Sequence, residues 1–214
     1  MSHTVRGLLV IASALFSTSA LSQDLFSSTN STVHSYNYLE VQYLTDMDAS
    51  PPVLAALLLD ISDNWSFKAE YLNQEYDDLA SEFDFVDNSV VVTASAQVLS
   101  AGGLYHHPFS RMAQSDWIAG FMLGRTEVSV EIPSINFSGE ADQSFQEFYA
   151  GIRRTFTPKL EGEATINLYR DSDTTDTTYD VKVVYRAFEA FDVAVAGNEL
   201  GGADIIGIGL RYTW

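Results

Sequence analysis

Three of the four histidines, His34, His106 and His107, are the residues most able to act as general bases or to activate a nucleophile. None falls in a long acidic loop. His34 precedes the first patterned segment, and His106 and His107 start a predicted turn on the side of the short connections. No catalytic group, cofactor site or metal site is expected. A second set of ionisable residues recurs at alternate positions: Glu40, Asp60, Lys68, Glu70, Glu147, Arg153, Glu161, Glu163, Lys182, Arg186, Asp192 and Arg211. Both signs are present, which predicts a paired network; a selective pore would carry unpaired charge of one sign. A third set is acidic with almost no base between: Asp46, Asp48, Glu75, Asp77, Asp78, Glu82, Asp84, Asp87, Asp171, Asp173 and Asp176. Calcium takes such oxygens, but DSDTTD at 171–176 lacks the glycine of a calcium loop, so a solvated rim is expected.

The chain that must position these groups has 214 residues, no cysteine, 11 bases against 29 acids and a formal charge of −18. That balance argues against nucleic acid, which selects a basic patch. Without cysteine there is no disulfide framework and no lipid-modified N-terminal cysteine. Residues 1–22 read as a signal peptide. Arg6 is followed by the apolar run GLLVIASALF, and Ala20-Leu21-Ser22 offers a small-residue cleavage site before Gln23. The run is too short to span ~30 Å of hydrocarbon as a helix. Residues 23–214 are then one mature domain, and its most apolar stretch, Pro52 to Leu59, is broken at Asp60.

Beyond residue 34, apolar and polar residues alternate with the period of a two-faced strand, interrupted by turn formers. Ten segments follow: 36–45, 53–62, 65–73, 89–105, 115–130, 144–156, 160–170, 178–186, 191–199 and 203–214. One face is Val, Leu, Ile and Ala, including Val90, Val92, Ala94, Ala96 and Val98 in the fourth segment; the other is polar. Connections after odd segments are mostly long and acidic, those after even segments mostly short. In the last segment Ile206, Ile208, Leu210, Tyr212 and Trp214 share one face and end on an aromatic residue. Aromatics cluster toward both segment ends, as at two membrane interfaces. The expected fold is all-β: a transmembrane antiparallel up-and-down barrel of ten strands, or eight if two short segments are misread.

Three stretches, SYNYLE at 35–40, YLNQEYDD at 71–78 and GIGLRYTW at 207–214, carry a resemblance to the small bacterial outer-membrane barrel superfamily of OmpA-like, OmpX-like and opacity-type proteins. Within it, they are similar to the outer-membrane proteins once described as sulfation-dependent quorum factors and later associated with secretion and vesicles. The resemblance implies a barrel in the outer membrane; the last segment, ending in an aromatic residue, itself resembles the signal read by the barrel-assembly machinery, and a monomer is expected. It implies little about activity. The expected role is non-enzymatic, membrane-structural or surface-interacting, in contact with outer-membrane lipid and with lipopolysaccharide through divalent cations. A narrow channel is the alternative, and a lipid-active or proteolytic barrel a more distant one.

Overall fold

The computed structural model describes residues 34, 36–45, 50–76, 92–110, 112–172, 174–200 and 203–214. The signal segment, the cleavage site and the acids at 46, 48, 77, 78, 82, 84, 87 and 173 lie outside the described residues. Ten strands run in order: β1 (Tyr38–Thr45), β2 (Ser50–Ser62), β3 (Trp65–Tyr76), β4 (Thr93–Pro108), β5 (Ser115–Ile132), β6 (Phe137–Thr157), β7 (Leu160–Arg170), β8 (Thr175–Arg186), β9 (Phe191–Leu200) and β10 (Ala203–Thr213). Each pairs antiparallel with its sequence neighbours, and β1 pairs with β10, so the sheet closes into a barrel. Closure pairs β10 on both sides, which removes the aggregation hazard of an apolar last strand.

The period-2 pattern turns this ladder into two surfaces. Leu39, Val41, Phe121, Leu123, Phe148, Ile166, Leu168, Val195, Ile206, Ile208 and Leu210 all stand exposed on the outside. Such a belt is stable in contact with hydrocarbon and costly in water. Trp65, Tyr105 and Trp117 form one aromatic cluster at the outer end of the short-turn side, and Phe191, Tyr212 and Trp214 form another. Tyr43, Tyr71 and Tyr179 are exposed toward the opposite end. A closed, up-and-down barrel with an apolar outside is the architecture of a transmembrane β-barrel.

Three expectations are corrected. The aliphatic side of β4 faces inward, not out: Val98 lines the lumen and Val92 is buried, while Leu99 is exposed. The connection after the fifth segment is not a long loop. β5 and β6 zip together up to Ile132 opposite Phe137, leaving a single 3-10 turn, Pro133–Ile135, closed by Asn136 in the left-handed region; Gly139 is a strand residue. Finally, His106 and His107 belong to β4 and not to a turn.

The β5–β6 hairpin also marks where the apolar environment ends. β7 stops pairing β6 at Gln146 opposite Arg170, so Phe137–Phe145 continue with β5 alone, about 30 Å of strand at ~3.4 Å per residue. Below this point the outward positions are Phe121, Leu123 and Phe148. Above it they are Arg125, Glu127, Glu131, Glu140 and Asp142, with Arg125 bridging Glu127 and Asp142 at 3.3 Å. The apolar residues of this projection, Val128, Val130, Ile132 and Phe137, move to the other face.

Candidate functional site

The candidate site is the lumen. Its short-turn end is packed by a floor of side chains to which the residues before β1 contribute. His34 and Tyr36 fold into the barrel and are 4% and 1% exposed. The Tyr36 ring stacks on His106 at 3.7 Å, and its hydroxyl donates to Asp116 at 2.9 Å. Burial, and then the Asp116 carboxylate, hold the Tyr36 phenol far above its ordinary range despite nearby Arg153, so it remains a donor at every physiological pH. His34 Nδ1 meets Glu161 at 3.0 Å.

Beside this plug lies an ion-pair chain across the barrel. Lys182 reaches Glu40 at 3.4 Å, and Glu40 accepts from Arg211 at 2.7 Å. Arg211 reaches Glu161 at 3.3 Å, which binds Arg153 at 2.6 Å, and Arg153 approaches Glu163 at 3.9 Å. The Gln42 amide also donates to Glu40. Tyr38 sits at the centre: the Arg211 guanidinium lies 4.1 Å from its ring, with Arg153 and Lys182 within 6 Å, each a favourable cation–π contact. The strands explain the convergence. Glu40 and Arg211 are register partners at the β1–β10 seam, and Arg153 and Glu163 are register partners between β6 and β7.

Of the twelve inward charges expected from the alternation, Glu40, Arg153, Glu161, Glu163, Lys182 and Arg211 form this one network. Lys68 and Glu70 pair separately at 2.8 Å higher in the lumen. Glu147 and Asp180, which shares the polar side of the eighth segment with Lys182, stand on the same upper wall, in no ion pair among the described residues. Asp60 accepts from Ser66 and meets Asn37 and His106 near the rim. Arg186 is half exposed and pairs with Asp192 at 3.5 Å, outside the floor. The C-terminal set Ile206, Ile208, Leu210, Tyr212 and Trp214 is entirely outward and exposed.

The alternation missed the apolar half of the lumen. Leu58, Leu104, Ile118 and Met122 are buried with Tyr36, Tyr38 and Tyr149 in one cluster. Glycine makes room for its aromatics: a Cβ at Gly120 would lie 2.5 Å from the Tyr149 ring, and one at Gly124 would overlap Phe145. Above floor and cluster remains a cavity of about 480 Å³, running from Arg153 and Lys182 up to Leu44, Leu72 and Asp176.

Among the described residues, neither His34 nor His106 assembles a catalytic relay. Thr155 Oγ1 and Glu161 both approach the same His34 nitrogen, Nδ1, at 3.4 and 3.0 Å, and Nε2 is buried without a partner among the described residues; a relay needs base and orienting groups on opposite nitrogens. His106 lies 3.6 Å from Asp60, beyond hydrogen-bond reach. Among the described residues no three His, Asp or Glu side chains are grouped to hold a metal ion. Asp171 is tied into its own turn by Thr174.

Fold and lumen together define a transmembrane antiparallel β-barrel of ten strands, filled at one end. No protein-family model matches the chain, and no curated protein sequence does. It is similar to several solved barrels. The KdgM porin aligns at 11% identity and a TM-score of 0.42, covering 83% of this chain and 99% of that one. The N-terminal β-barrel domain of Pseudomonas aeruginosa OprF aligns at 12% identity and 0.43, covering 85% and 100%. A major outer membrane protein from Thermus thermophilus aligns at 9% identity and 0.46, covering 83% and 99%.

Proposed function

We propose that the mature chain is a non-enzymatic outer-membrane barrel with a membrane-structural and surface-interacting role, closed to ion flow. The observation that carries this is the floor. Two arginines at 2% exposure, their carboxylates and the inserted His34 and Tyr36 side chains pack across the lumen at that end, which supports a closed barrel. The surface role is supported by the β5–β6 projection, which carries a charged face above the apolar belt. Export by a cleaved signal peptide and recognition of the C-terminal strand by the assembly machinery belong to this reading, as does a monomeric state. So does contact of the acidic rim with lipopolysaccharide phosphates through divalent cations, because a net charge of −18 would otherwise repel an anionic surface.

A nearer placement beside the proteins once described as sulfation-dependent quorum factors rests on the sequence motifs alone, two of which take part in the floor. SYNYLE supplies Tyr36, Tyr38 and Glu40, GIGLRYTW supplies Arg211, and the two meet in the floor. The test is conductance in planar bilayers. Purified mature barrel should insert without current steps. Reproducible ohmic steps from the wild-type chain would establish the channel reading instead.

A further inference from the structure

The cavity above the floor has two chemically different walls. One is aliphatic and aromatic: Leu54, Leu72, Val98 and Phe145. The other is acidic, and its charge is unbalanced. Each base on the lining already has a carboxylate: Lys68 has Glu70, Arg153 has Glu161, Lys182 has Glu40. Glu147, Asp176 and Asp180 are left in no ion pair among the described residues, so that with Glu70 and Glu163 five carboxylates share the lining with three bases, Lys68, Arg153 and Lys182. Asp180 is held in place by Asn167, which donates to it at 2.6 Å. Independently, Gln42, a lining residue only 4% exposed, keeps its Oε1 without a donor among the described residues, and the buried Tyr149 hydroxyl likewise has no partner there.

We propose that this cavity binds a small organic ammonium ion with an apolar body. The charged head belongs beside Glu147 and Asp180, where it adds positive charge to a wall with more acids than bases and supplies N–H donors. The body belongs against Leu54, Leu72 and Val98. The Phe145 and Tyr169 rings, 4.7 Å apart, add aromatic faces that favour a cation. The volume of about 480 Å³ lies within the range of small-molecule pockets, which pair an apolar lining with a few placed polar groups. A bare metal ion fits less well, since the described acids form no group of three able to chelate one. The inference rests on the closed floor, which makes the cavity a blind pocket.

The test uses the complete mature barrel in nonionic micelles, titrated calorimetrically with phenethylamine against a micelle blank. Phenethyl alcohol, which lacks the charge, and ethylamine, which lacks the body, are the comparisons. Both should bind at least tenfold more weakly. Glu147→Gln with Asp180→Asn should weaken phenethylamine at least tenfold, each single variant less, in protein whose heat-modifiable gel mobility shows a folded barrel. Equal affinity for amine and alcohol, or folded double variant that binds as wild type does, would overturn the proposal. Charge-dependent binding in a barrel that also conducts would support the pocket while overturning the closed floor.

Discussion

A lysine placed on Ile166 tests the environment of the apolar belt directly. Ile166 is six residues above the start of β7 at Leu160 and points outward at 55% exposure. Six residues at ~3.4 Å and a strand tilt of about 40° put it roughly 15 Å above the short-turn rim, near the middle of an apolar band about 25 Å tall. A lysine at that depth costs about 2–4 kcal/mol, or roughly 30- to 900-fold in the folding equilibrium. The adjacent Thr165 points into the cavity and is register partner to Asp180. A lysine there meets a carboxylate in no ion pair among the described residues and should change stability by no more than about 0.5 kcal/mol. Val183, only three residues from the end of β8, is about 8 Å above the same rim and should give an intermediate cost. Urea unfolding from lipid vesicles, followed by tryptophan fluorescence, reads these differences as midpoint shifts at constant slope. Equal costs at 165 and 166 would refute the assignment of hydrocarbon to the outer face. A larger cost at 183 than at 166 would refute the depth.

Deleting Trp214 should leave the barrel's interior untouched, because the residue is half exposed on the outside, yet impair assembly; pulse-chase should show degradation before insertion, and normal surface levels would count against the assembly-signal reading. Glu161→Gln removes a carboxylate shared by Arg153, Arg211 and His34. It should cost about 3–5 kcal/mol in urea unfolding by leaving buried cations underpaired, and adding Arg153→Met should recover part of that loss. Tyr36→Phe should cost about 1–3 kcal/mol at neutral pH, since Asp116 loses its buried donor. Because the folded-state pKa of Tyr36 lies above the unfolded one, its contribution is complete below about pH 10 and declines as pH rises further. The gap between wild type and Tyr36→Phe should therefore narrow in alkali, and a gap that widens would contradict the assignment.

Much of the barrel is legible in the sequence because a membrane strand obeys one rule, a change of side at every residue. All ten segments correspond to strands, and among their polar positions Glu40, Lys68, Arg153 and Lys182 line or fill the interior. What escapes the pattern has physical causes. The alternation says which residues share a face but not which face looks inward. For β4 hydropathy points outward, whereas Val98 and its even-numbered neighbours fill the lumen and the outer side is lined by Leu99 and Ala101. The polarity rule fails there because a narrow barrel is also a packed core, where Leu58 and Ile118 serve better than water. The floor plug is only half legible: His34 precedes the 36–45 segment and carries no periodic signal, whereas Tyr36 falls in that segment in phase with the inward Tyr38 and Glu40, and the alternation does not say that its ring stacks on His106.

The same inversion accounts for the shape of the outside. A strand that crosses from hydrocarbon into water must exchange its apolar and polar faces or end. β5 and β6 continue and exchange them. Leu123 is followed by Arg125 and Glu127 on the outer side, while Val128, Val130 and Phe137 take the inner side. Together with Phe121 and Phe148 below, this switch sets the upper edge of the apolar band within two residues on β5 without reference to any loop. The opposite edge is set by Trp65, Trp117 and Trp214, whose rings cluster at the short-turn rim. Between these edges lie both the ion-pair floor and the acidic wall of the cavity. The charges are thus held at membrane depth, where burial makes an unpaired carboxylate expensive. That is why the paired set reads as structure, and why Glu147 and Asp180, higher in the same band without ion pairs among the described residues, read as a place for a ligand.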